Sequence, residues 1–167
     1  MSPRKPTALD RIRLLALDVD GVLTDGRLYF GARGETLKVF NVRDGHGIRL
    51  LMGSGVAVAT ISGRRSAAVT ARMQELGVPH VVQGCSDKVG ALQALCRRLG
   101  VEARHCACLV DDTVDLPLMS AVGFAGAVAD AHPVALSAAH WVSRANGGRG
   151  AVRELCDAIL RARARHR

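Results

Sequence analysis

Short apolar runs alternate with amphipathic stretches along most of the chain. Each apolar run is brief and is followed by glycine or polar residues, which is typical of buried strands. We expect strands over 14–18, 56–61, 80–83, 106–110, 124–128 and 141–143. The amphipathic stretches predict helices over 45–52, 66–76, 88–99, 116–122, 133–138 and 150–162. Strand and helix in turn predict an α/β fold, with a Rossmann-like, mostly parallel sheet and helices on both faces.

One segment, 26–40, interrupts this alternation. Its two short strand-like runs flank a glycine-containing turn at 31–34, which predicts a small β-hairpin. A length of 167 residues suits one domain with a sizeable core. We place that domain at 11–162, between a disordered lead-in over 1–10 and a basic tail over 163–167.

Charge and cysteine content restrict the function. The net charge of +8 owes much to alternating arginines near the C-terminus, and it lacks the interleaved aromatic residues of nucleic-acid surfaces. No apolar run approaches the ~20 residues that span a bilayer. The five cysteines are scattered, which favours a reduced, cytoplasmic protein. We therefore expect neither nucleic acid nor membrane as a partner, and the arginines suit a small anionic substrate.

Polar residues gather where the predicted strands end. In parallel α/β sheets, ligands bind outside the carboxyl ends of the strands, so these residues are expected to converge. Singly, each has a simpler explanation, such as a helix cap or a surface lysine, but their coincidence favours a site. They are Asp18 and Asp20, then Ser62, Gly63 and Arg64, then Ser86, Asp87 and Lys88, and finally Asp111, Asp112 and Asp115.

The chemistry that these groups support is phosphoryl transfer. Asp18 and Asp20 share one face of a strand, where magnesium or a shared proton relieves their repulsion. One carboxylate can attack phosphorus while the other protonates the leaving alcohol and then activates water. The hydroxyl of Ser62 and the ammonium of Lys88 can stabilise the transferring group.

These residues resemble a known superfamily. DVDGVLT at 18–24, SGR at 62–64, Lys88 and the Asp pair at 111–112 are similar to the four motifs of the haloacid dehalogenase phosphatases. NVRDG at 41–45, ADAHP at 129–133 and GGRGAVRE at 147–154 more narrowly resemble its family of 3-deoxy-D-manno-octulosonate 8-phosphate (KDO 8-phosphate) phosphatases of lipopolysaccharide biosynthesis. The resemblance spans about 14–160. It implies no cap domain, in keeping with the hairpin as the sole insertion after the first motif.

The resemblance also implies roles. Asp18 is the expected nucleophile and a Mg²⁺ ligand, Asp20 the acid/base and a ligand through its carbonyl, and Asp111 the further ligand, supported by Asp112 or Asp115. Ser62 and Lys88 are expected to hold the phosphoryl group. The implied substrate-binding set is Asp20, Asn41, Val42, Arg43, Asp44, Gly45, Arg49, Gly63, Arg64, Arg72 and Lys88. For Arg49 and Arg72, a solvated helix face is the alternative.

A homotetramer is a further implication, with the hairpins of neighbouring subunits closing the sites. Four hairpin side chains are the candidate interface, unless they pack within their own subunit: Leu28, Phe30, Leu37 and Val39. The stretch 147–150 resembles the family's C-terminal segment that approaches a neighbour's site, or it is an ordinary loop.

Two departures and two rival functions stay open. Val110 stands where the family has glycine; because valine resists positive φ, we expect altered metal geometry and lower activity. Ser62 replaces a common threonine but keeps the hydroxyl. A non-catalytic oligomerisation module is one rival, although the nucleophile, lysine and metal carboxylate are all present. A phosphatase for nine-carbon sialic-acid or KDN 9-phosphates is the other.

Overall fold

The computed structural model of the chain describes residues 6–165. Six of its strands form one sheet in the order β5-β4-β1-β6-β7-β8, and all neighbouring pairs are parallel. The strands are β1 (Leu14–Leu17), β2 (Tyr29–Gly31), β3 (Gly34–Leu37), β4 (Ala57–Ser62), β5 (His80–Gln83), β6 (Cys106–Val110), β7 (Phe124–Ala127) and β8 (Trp141–Val142). The predicted α/β class is confirmed.

The helices connect the strands and pack in two groups, as expected when both faces of a sheet are covered. They are α1 (Val42–Gly53), α2 (Ala67–Leu76), α3 (Lys88–Leu99), α4 (Leu116–Ala121), α5 (Pro133–Ala138) and α6 (Ala151–Ala164). In one group α1 contacts α2 and α6, and in the other α4 contacts α3 and α5. Gly77 and Gly100 end α2 and α3 in the left-handed conformation, which explains the predicted stops.

The core lies around β1, whose four residues are completely buried. Its neighbours β4 and β6 flank it on either side, so both its edges are paired. A strand covered on both faces needs an unbroken apolar run, and each buried leucine contributes about 2 kcal/mol. This rigid centre delivers Asp18 to the carboxyl edge of the sheet.

Both ends of the described chain differ from the prediction. Leu9–Arg11 form a 3-10 helix that contacts α6, and its first two residues belong to the stretch 1–10 that was expected to be disordered. Arg163 lies in α6 and donates to the carbonyls of Ile12 and Ser54, both at 3.2 Å. The arginine therefore joins the two ends of the fold rather than beginning a tail. Residues 1–5 and 166–167 lie outside the described range, and the single domain over 11–162 stays a prediction.

The predicted hairpin is present as the antiparallel pair β2 and β3, separate from the main sheet. The side chains of Leu28, Phe30, Leu37 and Val39 are all largely exposed in the single chain. These side chains are therefore not buried by packing within their own subunit, which was the alternative explanation for them. Within 6–165, no helix has the length and apolar composition needed to cross a bilayer.

Candidate active site

A cleft of about 430 Å³ opens at the carboxyl ends of the strands, where the sequence predicted a site. The loops after β1, β4, β5 and β6 surround it. Its lining is formed by Asp18, Asp20, Gly26, Ser62, Gly63, Arg64, Cys85, Ser86, Lys88, Asp111, Asp112 and Val114. The predicted catalytic side chains are thus brought together with Ser86, and Gly26, Cys85 and Val114 join them without having been predicted.

Lys88 lines the cleft, is largely buried and lies between two carboxylates. Its Nζ is 2.8 Å from Oδ1 of Asp18 and 2.6 Å from Oδ1 of Asp115. Asp87 caps α3 by accepting from the N–H of Gly90, which fixes Lys88 in the first turn. Burial disfavours the ammonium, but the two carboxylates outweigh it and raise the pKa of Lys88. The lysine therefore stays charged.

Three carboxylates converge around this lysine. One oxygen each from Asp18, Asp111 and Asp115 lies within 4.8 Å of the others. Burial first, and neighbouring carboxylates in addition, raise the pKa of Asp18 to about 6 and that of Asp111 to about 7. Among the described residues, Oδ2 of buried Asp115 has no hydrogen-bond partner. We call Asp18, Lys88, Asp111 and Asp115 the floor cluster.

The floor cluster fits a divalent cation. Its donors are carboxylate oxygens, which hard cations prefer, and one lysine leaves their negative charge only partly compensated. Of the two supporting residues that the sequence offered, Asp115 takes part, whereas Asp112 accepts from the N–H of Thr113 and caps the turn that follows. Gly21 makes room for this cluster, since a Cβ there would lie 1.9 Å from Oδ2 of Asp111.

Asp20 faces a second group of charges at the mouth of the cleft. Its carboxylate pairs with Lys38 of the hairpin and lies 3.7 Å from Nε of Arg64. Glu35 of β3 pairs with both cations, at 3.1 Å from Lys38 Nζ and 2.9 Å from Arg64 Nη2. We call Asp20, Glu35, Lys38 and Arg64 the rim cluster. Sequence reasoning gave Glu35 and Lys38 no role, because no local pattern marks them.

The motif at 41–45 supports the fold in the single chain. Asn41 caps α1 by accepting from the N–H of Arg43 at 2.8 Å. Asp44 is buried and accepts from the backbone N–H groups of Gly150 and Arg153, at 3.3 and 2.9 Å, so it caps α6. Gly45 leaves space for an arginine of α2: a Cβ there would lie 2.3 Å from Nη2 of Arg72.

Only part of the implied substrate set therefore lies in the cleft. Arg72 pairs with Glu75 at 2.8 Å on α2, and Arg49 is exposed on α1. Val42 and Arg43 are also exposed. Among the described residues of that set, those lining the cleft are Asp20, Gly63, Arg64 and Lys88.

Val110 continues β6 without strain. In the described chain, positive φ occurs only at glycines, so Val110 keeps an ordinary backbone and its side chain is buried in the core. The backbone strain expected of valine is therefore absent at this position, and its effect on metal geometry and activity stays a prediction. Ser62 lines the cleft, and its Oγ accepts from the N–H of Arg64 at 3.2 Å.

The glycine segment at 147–150 packs on the loop after β1 of its own chain. The N–H of Gly148 donates to the carbonyl of Val22 at 2.8 Å. A Cβ at Gly147 would lie 1.7 Å from the carbonyl oxygen of Gly21. Glycine is needed here because another backbone approaches so closely.

Comparisons with known proteins agree with this geometry. Residues 77–155 match the haloacid dehalogenase-like hydrolase family. The chain is 52% identical to 3-deoxy-D-manno-octulosonate 8-phosphate phosphatase KdsC of Yersinia pestis over 149 residues, 89% of this chain and 80% of that protein. The crystal structure of the Yersinia pestis phosphatase aligns with a TM-score of 0.92 and 50% identity, over 94% of this chain and 85% of that one.

A further structure includes ligands. The Moraxella catarrhalis phosphatase, solved with magnesium ion, phosphate ion and KDO, aligns with a TM-score of 0.91 and 40% identity, over 94% of this chain and 90% of that one. Sheet, floor cluster and family match define the class of haloacid dehalogenase-like hydrolases, and within that class the chain belongs to the family of KDO 8-phosphate phosphatases. It is a phosphoric monoester hydrolase.

Proposed function

We propose that the protein hydrolyses KDO 8-phosphate to KDO and inorganic phosphate, with Mg²⁺ as cofactor and a phosphorylated Asp18 as intermediate. The observation that carries this proposal is the placement of Lys88 between Asp18 and Asp115, beside Asp111, at the bottom of an open cleft. The identity to phosphatases of that name supports the substrate. The proposal extends to a cytoplasmic enzyme of lipopolysaccharide biosynthesis.

The residues divide the substrate between them. Lys88 and the hydroxyl of Ser62 hold the phosphoryl oxygens, which places phosphorus beside the carboxylate of Asp18. Arg64 at the mouth binds the carboxylate of the sugar acid, a task suited to a guanidinium. Asp18 and Asp111, with the carbonyl of Asp20 and support from Asp115, would hold the Mg²⁺. When bound, the ion neutralises the negative charge that the floor cluster and the phosphate bring together.

The reaction proceeds in two steps. In the first, a carboxylate oxygen of Asp18 bonds to phosphorus as the bond from phosphorus to the sugar oxygen breaks, and Asp20 gives its proton to that oxygen. In the second, Asp20 takes a proton from water, whose oxygen bonds to phosphorus. The bond to Asp18 breaks, and inorganic phosphate leaves.

Phosphate release from a panel of phosphorylated sugar acids tests the proposal. We expect KDO 8-phosphate to be the best substrate under Mg²⁺, and Asp18→Asn to lose about 10⁴-fold or more in kcat. If the protein prefers a nine-carbon sugar acid phosphate, that compound replaces KDO 8-phosphate as the proposed substrate. Undiminished phosphate release by Asp18→Asn would refute the mechanism. If the wild type releases no phosphate from any substrate of the panel, the remaining function is that of a non-catalytic oligomerisation module.

The proposal includes a homotetramer assembled through the hairpins. Their exposed apolar side chains, including Leu37 and Val39, support this, because such surface is normally buried by a partner. We expect light scattering to give the mass of a tetramer, and Val39→Lys to give a smaller species. A monomeric wild type would contradict the assembly and leave the chemistry untouched.

A further inference from the structure

We propose that Glu35 is a positioning residue, which holds the guanidinium of Arg64 so that it faces the cleft and receives the substrate's carboxylate. Recognition of the sugar acid then depends on a hairpin residue outside the cleft. The inference rests on the proposed function, since it requires a substrate that carries a carboxylate.

Three donors fix the carboxylate of Glu35. Its Oε2 lies 2.9 Å from Nη2 of Arg64 and 3.1 Å from Nζ of Lys38, and its Oε1 accepts from the hydroxyl of Ser66 at 2.7 Å. Burial works against the charge, but the bonds from Ser66, Arg64 and Lys38 outweigh it and lower the pKa of Glu35 to about 2. The side chain is only 14% exposed. Glu35 is therefore ionised at neutral pH, and three donors hold it in place.

Two contacts hold the guanidinium of Arg64. Its Nη2 donates to Glu35, and the ring of Phe30 lies 5.9 Å from its Cζ, within cation–π range. The side chain stays 41% exposed and lines the cleft. A guanidinium has five N–H donors, so the bond to Glu35 leaves others for a ligand. Restricting a long side chain before the ligand arrives reduces the entropy lost on binding.

Charge balance at the rim gives Glu35 a second effect. Asp20, Lys38, Glu35 and Arg64 form a closed ring in which negative and positive groups alternate. Without the charge of Glu35, Asp20 at 3.7 Å is the remaining carboxylate of the ring that attracts Arg64. The guanidinium would then turn inward to Asp20 and become less accessible to the substrate.

The charge is removed with little change of shape by Glu35→Gln. We expect KM for KDO 8-phosphate to rise about ten-fold and kcat to stay within about two-fold. For glucose 6-phosphate, a sugar phosphate without a carboxylate, kcat/KM is expected to change by less than about two-fold. Glu102→Gln is the matched control, because Glu102 forms an exposed pair with Arg104 at 2.7 Å, outside the cleft.

A double-mutant cycle with Arg64→Met shows whether Glu35 acts through the arginine. If it does, Glu35→Gln has no further effect on KM once Arg64 is replaced. Ser66→Ala, which removes one anchor of Glu35 and keeps its charge, is expected to raise KM about two- to three-fold. This milder variant gives a result even if Glu35→Gln fails to fold.

The outcomes separate the two proposals. If the wild type hydrolyses glucose 6-phosphate with the same kcat/KM as KDO 8-phosphate, the proposed function is refuted. A wild type that prefers the sugar acid, with an unchanged KM in Glu35→Gln, refutes only the positioning role. Equal losses on both substrates, or additive effects in the cycle, also overturn it, because they indicate general support of the fold.

Discussion

The two charged clusters of the cleft differ in how their charges balance. The floor cluster sets three carboxylates against one ammonium, whereas the rim cluster pairs two carboxylates with two cations. At the floor, burial and repulsion raise the pKa of Asp18 and Asp111. At the rim, the pKa of Glu35 is lowered, because its hydrogen bonds outweigh burial. The floor is thus incomplete without a cation, and the rim is complete by itself.

This difference follows from the elements that carry the clusters. The floor is attached to the ends of β1 and β6, to the first turn of α3 and to the 3-10 turn Thr113–Asp115 that follows β6. Such a scaffold can keep like charges together at a cost in stability. The rim joins a hairpin to two loops, and mutual pairing fixes its geometry. Attack on phosphorus and binding of the phosphoryl group therefore belong to the floor, whereas the rim orients the sugar acid and holds Asp20, the proton donor.

Replacing the lysine of each cluster gives the largest expected contrast. Lys88→Met leaves the buried carboxylates of Asp18 and Asp115 without their cation and removes a phosphate ligand, so we expect kcat to fall about 10³-fold. Lys38→Met leaves Arg64 to pair with both rim carboxylates, and we expect kcat to fall about ten-fold. Phosphate release at saturating substrate and Mg²⁺ measures both. Similar losses in the two variants would mean that the clusters do not divide the work in this way.

The sequence predicted the floor better than the rim. The strand Cys106–Val110 and the helix Lys88–Leu99 were predicted with their observed bounds, because an apolar run and a terminal glycine mark them. Since parallel strands present their carboxyl ends at one edge, residues at those ends had to meet. Asp18, Lys88 and Asp111 were therefore within reach of sequence reasoning.

The rim depends on contacts that no local pattern contains. Glu35 reaches Arg64 and Ser66 only because the hairpin folds back over residues 29 and 31 positions away. Likewise, the resemblance assigned Asp44 to the substrate, but the approach of α6 to α1 makes it a helix cap. A motif shows that a residue matters to a family without showing what its side chain touches.

The floor cluster also makes stability depend on pH when divalent metal is removed. The pKa values of Asp18 and Asp111 are about 6 and about 7, above the ordinary 3.8 of the unfolded chain, so the folded chain binds protons more tightly. Stability is then present at low pH and is lost as pH rises from about 4 to about 7. For the two carboxyls together these pKa values correspond to about 7 kcal/mol. Because Asp111 is partly exposed and solvent screens its charge, we expect about half of that loss, about 3 kcal/mol or about 8 °C in Tm, by thermal unfolding with chelator.

Magnesium identifies the part of this loss that comes from the floor. At about pH 8, added Mg²⁺ binds the ionised carboxylates of the folded chain and is expected to restore most of the lost Tm. Asp111→Asn removes one of the repelling charges, so its Tm should vary less with pH and respond less to Mg²⁺. A wild-type Tm that rises with pH in chelator would show that the carboxylates are not in conflict.

Asp44 provides the smallest and most selective test. Its carboxylate is buried like that of Asp18 in the floor cluster, but its oxygens have hydrogen-bond partners, like those of Glu35 in the rim cluster. The backbone N–H groups of Gly150, which precedes α6, and of Arg153 in its first turn donate to its two oxygens. In Asp44→Asn the amide NH₂ faces one of those donors, so we expect a loss of about 1 kcal/mol, or about 3 °C in Tm. KM for the sugar acid should stay within about two-fold.

Asp157→Asn is the control variant. It removes a half-buried pair with Arg153 at 2.9 Å on α6 and should lower the free energy of unfolding by about 0.3 kcal/mol. If Asp44→Asn instead raised KM ten-fold at constant Tm, Asp44 would contact the substrate in the assembled enzyme, and the distinction between satisfied and reactive carboxylates would not hold there.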